Sequence, residues 1–328
     1  MKITLAHGSG GVESAELVRC ITRHFSNPIL EKMEDAALLD GADQLAFTTD
    51  SFVVTPLFFR GGDIGRLCVC GTVNDLAVTG AVPKYLTCGF IIETGADTET
   101  LEKIAQSMAD TAREAGVLLV AGDTKVIEGS GGVLINTAGV GFVPKGHALY
   151  AAGCRPGDAI LVSGTLGDHH AAILSHRLSI ENQIESDCAP LGSMTAALFA
   201  GGVRVRTMRD ATRGGLATVC GELAKSCGHS FVLEETAIPV SPAVQSFAGL
   251  LGLDVLTMGN EGKLVAVVAA EDAQRALQII RNSPYGENAA VIGHVEPAGR
   301  EPQVLLRTSI GGLRVVPPLS GEGLPRIC

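Results

Sequence analysis

LAFTTD over residues 45–50, DIGRLCVCGTVNDLAV over 63–78 and YLTCGFII over 85–92 decide the fold. The first is a short run of β-formers and predicts a strand over Leu45–Thr49 that ends at Asp50. The second is long enough to predict a helix from Asp63 to Val78, and the third predicts another strand from Tyr85 to Ile92. Strand, helix, strand is the unit of an α/β protein. Toward the C-terminus, Leu101, Ile104, Ala105, Met108, Ala112 and Ala115 recur at helical spacing and stop at Gly116. Val117–Ala121 then predicts a strand ending at Gly122-Asp123, and Val133–Phe142 another. Toward the N-terminus, the turn His7-Gly8-Ser9-Gly10-Gly11 feeds a helical apolar face over Val12–Phe25.

Around residues 146–156 the pattern loosens, and Arg155-Pro156-Gly157-Asp158 reads as a turn before a strand over Ala159–Val162. The second half predicts helices near Ala171–Leu178, Met194–Phe199, Leu216–Cys227 and Ala273–Arg281, with strands near Phe231, Leu264–Ala269, Val291, Val304 and Leu313. A chain of 328 residues exceeds the size at which one core keeps growing. These observations predict a mixed α/β protein with domains over 1–150 and 151–316. From residue 317 onward Pro and Gly are too dense for regular structure, so 317–328 is expected to be a flexible tail.

Lys and Arg total 25 against 35 Asp and Glu, and no basic run offers the stripe that nucleic acid requires. The opening residues carry one positive charge and an apolar patch broken by His7 and Gly8, unlike a secretory leader. No apolar run reaches the ~18–20 residues of a membrane span. Nine cysteines without framework spacing fit a reducing compartment, and the expected location is cytoplasmic.

Asp50, Asp75, Asp123 and Asp210 all fall where predicted strands or glycine turns end. Carboxylates converging from separate elements would supply oxygen ligands for Mg²⁺, which usually accompanies the phosphates of a nucleotide. Capping and turn roles are the plainer reading of each acid taken alone. Neither Gly-x-x-x-x-Gly-Lys-Ser/Thr nor Gly-x-Gly-x-x-Gly occurs, so phosphate contacts would fall to backbone amides at Gly8–Gly11, Gly61-Gly62 or Gly214-Gly215. His169 and His170 point about 100° apart on a helix and read as a polar helix start. Cys68 and Cys70 read as buried structural thiols. Cys328 differs, because a thiol ending a tail packs against little. From Val316 that tail can reach on the order of 40 Å at ~3.3 Å per residue, the geometry of a carrier arm.

Seven stretches together resemble a known family: TTDSFVV (48–54), GGDIG (61–65), VNDLA (73–77), AGDTKV (121–126), DATRGGL (210–216), NEGK (260–263) and the terminal PRIC (325–328). They are similar to the HypE carbamoyl dehydratases of [NiFe]-hydrogenase maturation, within the superfamily of aminoimidazole ribonucleotide synthetase and selenophosphate synthetase. The internal stretches mark the superfamily, and Pro325-Arg326-Ile327-Cys328 marks the member. Val255 after Asp254 and Gly259 before Asn260 depart from the pattern and touch only local loop geometry. The resemblance implies a two-domain PurM-like architecture, a homodimer joined through the N-terminal domains, and ATP bound near the seam with Mg²⁺. It places Asp50, Asn74, Asp75, Asp123, Thr124, Asp210, Gly214 and Gly215 around the nucleotide, with the metal on some of the four aspartates.

The implied reaction turns S–C(=O)–NH₂ on Cys328 into S–C≡N. Phosphorylating the carbonyl oxygen makes it part of a good leaving group, and two N–H protons must then be removed. Glu261 is the expected general base, and Lys125 is expected to balance phosphate charge or take a proton. The implied partners are HypF, a carbamoyltransferase that loads Cys328, and an iron-bearing HypC–HypD scaffold that accepts cyanide. Selenophosphate synthesis would bring a Cys or selenocysteine and a nearby Lys in the N-terminal segment, which His7–Gly11 lacks. Thiamine-monophosphate kinase or a cyclo-ligase has no use for the terminal thiol. A non-enzymatic thiol carrier would bind ATP without turnover dependent on the loaded tail.

Overall fold

The computed structural model describes residues 2–9, 11–32 and 36–317. Its first half runs α1 (Gly11–Thr22), β1 (Leu45–Phe52), β2 (Phe58–Phe59), β3 (Gly62–Asp63), α2 (Ile64–Val78), β4 (Val82–Glu93), α3 (Thr98–Ala115), β5 (Leu118–Ile127) and β6 (Val133–Phe142). Its second half runs β7 (Ala159–Val162), α4 (Asp168–Arg177), α5 (Gly192–Ala200), β8 (Val205–Asp210), α6 (Gly215–Cys227), β9 (His229–Glu234), α7 (Pro242–Leu251), β10 (Leu264–Val268), α8 (Ala273–Arg281), β11 (Ala290–Pro297), β12 (Val304–Arg307) and β13 (Leu313–Val315).

The first half builds a four-stranded sheet in the order β1-β6-β4-β5, with only the β4/β5 pair parallel. Side chains alternate across it. Phe52, Leu86, Cys88, Phe90, Ile92, Val133 and Ile135 pack in one core with α2 and α3. On the other face Leu45, Phe47, Ile91, Leu118 and Ile127 stay exposed. The second half builds a seven-stranded sheet, β13-β12-β9-β11-β7-β10-β8, in which β12/β9 is the parallel pair. Both faces of this sheet are covered. Ile160, Val162, Val265 and Val267 join the core under α6, while Ala159, Leu161, Leu264, Ala266 and Val268 join the one under α5 and α8. That explains why β7 and β10 read as unbroken apolar runs.

Helix α2 joins the halves. Asp63 caps it, accepting from the N–H groups of Gly65 at 2.6 Å and Arg66 at 3.1 Å. Nearly every residue in it is buried, because the helix lies between the first sheet on one side and β8 and α5 on the other. A helix apolar all round is the sequence signature of that position.

Several boundaries differ from those the sequence predicts. Strand β1 continues through Asp50 to Phe52, and β5 continues through Asp123 to Ile127, so neither acid ends its strand. Edge strand β8 and helix α7 are not predicted; β8 is short of apolar residues, whereas Ser241-Pro242 and Gly252 do mark the start and stop of α7. His169 and His170 do start a helix, α4, but both are buried rather than on a polar surface. His170 accepts from Gly259 N–H through Nδ1, and burial lowers its pKa to about 4. Cys68 and Cys70 are fully buried, as expected. Gly61-Gly62 packs against the loop before α5, where a Cβ at Gly61 would meet the Ser186 backbone at 2.7 Å, which explains that pair by packing. Cys328 and the tail from residue 318 lie outside the described residues.

Candidate active site at the seam

Three of the four predicted aspartates come together where α2 meets β8. Asp75 lies on α2 and accepts from Thr48 Oγ1 of β1 at 2.8 Å. Asp50 shares the helix-facing side of β1 with Thr48, and Asp210 ends β8. Their fields overlap. Loss of hydration raises the pKa of Asp75, and it raises Asp50 together with repulsion from Asp75. Burial, then the charges of Asp75 and Asp50, push Asp210 up to about 7. Arg209 and Arg213 moderate the repulsion. Oxygen-only donors repelling one another suit a hard divalent cation such as Mg²⁺, which would offset the charge that holds their protons on. As they stand, no three acids, histidines or cysteines among the described residues are close enough to grip one ion.

Asp123 does not join them within one chain. Asp50, Thr137, Cys88 and Gly122 form one cross-strand row, which puts Gly122 three strand spacings, ~14 Å, from Asp50. The next row pairs Ser51, Asn136, Gly89 and Asp123 and faces the opposite, open side of the sheet. Asp123 there pairs with Lys125 at 3.0 Å, and this hydrogen bond lowers its pKa. Lys125 is accordingly exposed, on the open face of the sheet. Asp123 and Thr124 also line a cavity of about 660 Å³ between α1 and β5, with Val18, Ile21, Leu119 and Phe90 among its apolar walls. That volume is within the range of small-molecule sites.

Asn74 has a different job from the nucleotide contact expected of it. It is buried, its Nδ2 donates to the carbonyls of Ala189 at 3.0 Å and Glu261 at 3.4 Å, and its Oδ1 accepts from Leu191 N–H at 2.8 Å. With both amide atoms engaged, it staples the halves. Gly214 and Gly215 take positive φ and open α6. A Cβ at Gly215 would sit 2.5 Å from the Met258 carbonyl, so glycine lets the helix start close against the 258–262 stretch. This places the N-terminus of α6 five residues beyond Asp210, at a place suited to an anion.

Glu261 is 3% exposed and lies beside this cluster. Burial raises its pKa well above the ordinary value, with further push from Cys188, Asp210, Asp187 and Asp50. The sequence reading missed the loop before α5. Its Asp187 accepts from Glu261 N–H at 3.0 Å and pairs with buried Lys263 at 3.5 Å, and Arg66 Nε donates to the Cys188 carbonyl at 2.8 Å. Only long-range contacts reveal this loop, whose Ser, Asp and Pro residues read locally as a linker.

Both halves of the chain match one class, the AIR synthase related proteins. The N-terminal domain model of that class matches residues 33–143 and the C-terminal domain model matches 155–303. The chain is 49% identical over 334 residues to the carbamoyl dehydratase HypE of Cupriavidus necator, covering 100% of this chain and 95% of that protein. The crystal structure of a hydrogenase maturation protein HypE in complex with ATP matches with TM-score 0.95 at 45% identity, covering 99% of both chains. A HypE–HypF complex contains a chain matching at 43% identity with TM-score 0.81, covering 94% of this chain and 100% of that one. The chain belongs to the HypE carbamoyl dehydratase family and is an enzyme of the PurM-like fold.

Proposed function

We propose that this enzyme uses ATP to dehydrate a carbamoyl group carried on its own Cys328 to a thiocyanate, the source of cyanide for the iron of [NiFe] hydrogenases. The observation that carries the reading is the buried Glu261 carboxyl beside Asp210 and Asp50 at the seam, in a chain so similar to a HypE crystallised with ATP. In the reaction the carbamoyl oxygen attacks the γ-phosphorus and the bond to ADP breaks. The nitrogen gives up two protons, the C–O bond breaks, and inorganic phosphate leaves S–C≡N behind. Asp50, Asp75 and Asp210 are the residues that would hold Mg²⁺, which when bound neutralises phosphate charge. Offsetting the charge on Asp210 and Asp50 removes part of what keeps the proton on Glu261, leaving it able to accept one from the carbamoyl nitrogen. The N-terminus of α6 at Gly214-Gly215 would hold the phosphates, and the cavity lined by Asp123 and Thr124 would take the nucleoside. Lys125, on the open face of the sheet and paired with Asp123, is retained as a phosphate countercharge only across the proposed dimer contact.

The wider assignment includes a homodimer through the open face of the first sheet, where Leu45, Phe47, Ile91, Leu118 and Ile127 are exposed. That contact would also cover Asp123, Lys125 and Asn136. HypF is the proposed partner that loads Cys328, as the complex of a related HypE with HypF supports, and a HypC–HypD scaffold is the proposed acceptor. Domains of 1–150 and 151–316 with a carrier tail over 317–328 complete the proposal, as does a cytoplasmic location; no helix of the described residues is long and apolar enough to cross a membrane. The Cys328→Ala enzyme is expected to fold normally and form no thiocyanate. Thiocyanate formation by that variant would overturn the proposal.

A further inference from the structure

Resting on the reading of Glu261 as proton acceptor, we propose that Asp187, anchored by Lys263, is a positioning residue that fixes Glu261 for proton abstraction. Glu261 lies in irregular chain before β10, so no helix or strand ladder sets the direction of its side chain. Its two peptide groups do so instead. The Glu261 carbonyl accepts from Asn74 Nδ2 and from Ala189 N–H, both at 3.4 Å. The Glu261 N–H donates to Asp187 Oδ1 at 3.0 Å, a bond to a side chain only 4% exposed. A buried N–H deprived of such an acceptor has no water to replace it.

Asp187 is itself pinned. Its Oδ2 takes no hydrogen bond and lies 3.5 Å from Nζ of Lys263, the only lysine buried among the described residues. Lys263 Nζ also donates to the Gly262 carbonyl at 3.3 Å. A Cβ at Gly262 would stand 1.8 Å from the Asp187 carbonyl oxygen, so glycine is what lets the 261–263 stretch press against the loop. Lys263, Asp187 and the Glu261 peptide thus form one chain of contacts whose end is the reacting carboxyl. Without Asp187, the Glu261 N–H loses its acceptor and Lys263 its counterion, and the Glu261 side chain loses its fixed direction while the acids at Asp50, Asp75 and Asp210 are untouched.

The test uses full-length enzyme loaded on Cys328 by the carbamoyltransferase and desalted, with dehydration followed by mass after Mg-ATP is added. Asp187→Ala is expected to slow turnover at least tenfold with the KM for ATP unchanged, about the effect of leaving one buried N–H without its acceptor. Asp187→Asn keeps an acceptor for the Glu261 N–H but gives up the charge facing Lys263, and is expected to be slower than native yet clearly faster than Asp187→Ala. Because Asp187 acts through Glu261, the Asp187→Ala, Glu261→Gln double variant should be no slower than Glu261→Gln alone. Should Asp187→Ala not fold, Lys263→Met replaces it, with turnover expected to fall at least threefold and to recover in Lys263→Arg. Native turnover in Asp187→Ala or Lys263→Met, a KM for ATP that rises in step with the loss, or additive losses in the double variant would overturn the positioning role alone. Native turnover in Glu261→Gln would remove the base assignment and the positioning role with it.

Discussion

Replacing Asp210 by Asn should stabilise the enzyme above neutral pH, even though the residue is assigned to metal binding. The native carboxyl is raised from 3.8 to about 7 by burial and by the charges of Asp75 and Asp50. Below pH 4 both folded and unfolded chains hold the proton, and the residue contributes nothing to the pH dependence. Between pH 4 and 7 the folded chain keeps a proton that the unfolded chain has released, so stability falls as pH rises, and above 7 the whole penalty is present. Three units at about 1.4 kcal/mol each give about 4 kcal/mol, and solvent screening of this half-buried group reduces that to about 2 kcal/mol. Asn keeps the shape and lacks the charge. Thermal unfolding without divalent cations is expected to show a Tm for Asp210→Asn about 3–6 °C above native at pH 8. The two should nearly coincide at pH 4.5. An equal or lower Tm at pH 8, or a gain of the same size at pH 4.5, would refute the electrostatic account of the cluster.

Two further outcomes follow from the seam and the open sheet. Asn74→Ala leaves the Leu191 N–H and the Ala189 and Glu261 carbonyls without their partner, and should cost about 3 kcal/mol in urea unfolding; an unchanged midpoint would contradict its role as staple. Phe47→Asp changes a side chain that is 73% exposed, so it should leave the Tm within a few degrees yet convert the proposed dimer to monomer in sedimentation, whereas a native chain that is already monomeric at micromolar concentration would remove the dimer.

The elements named by local pattern are those whose cores are local. Helix α3 shows its buried stripe from Leu101 to Ala112 directly, and β7 and β10 show theirs as apolar runs. The acids were legible as a set but not as a geometry. Thr48, Thr49, Asp50 and Ser51 look like the polar end of a strand, while pairing with β6 carries β1 through them. The alternation of β5 then turns Asp123 to the open face, a consequence of register that only the neighbouring strands reveal. Asp187, Cys188 and the cross-seam bonds of Asn74 were hidden for a related reason, since residues 74, 187 and 261 meet only when the halves close on α2. β8 was missed because Arg206 and Arg209 interrupt an edge strand that is short of apolar residues.

The measurement that tests the account most directly is the mass of the Cys328 peptide through two separated steps. The enzyme is first incubated with the carbamoyltransferase and carbamoyl phosphate, then desalted, then given Mg-ATP. The account predicts a gain of about 43 Da on Cys328, for one transferred carbamoyl, followed by a loss of about 18 Da, for one water, only after ATP is added. An enzyme that gains no adduct on Cys328, or whose adduct ATP leaves unchanged, would contradict it.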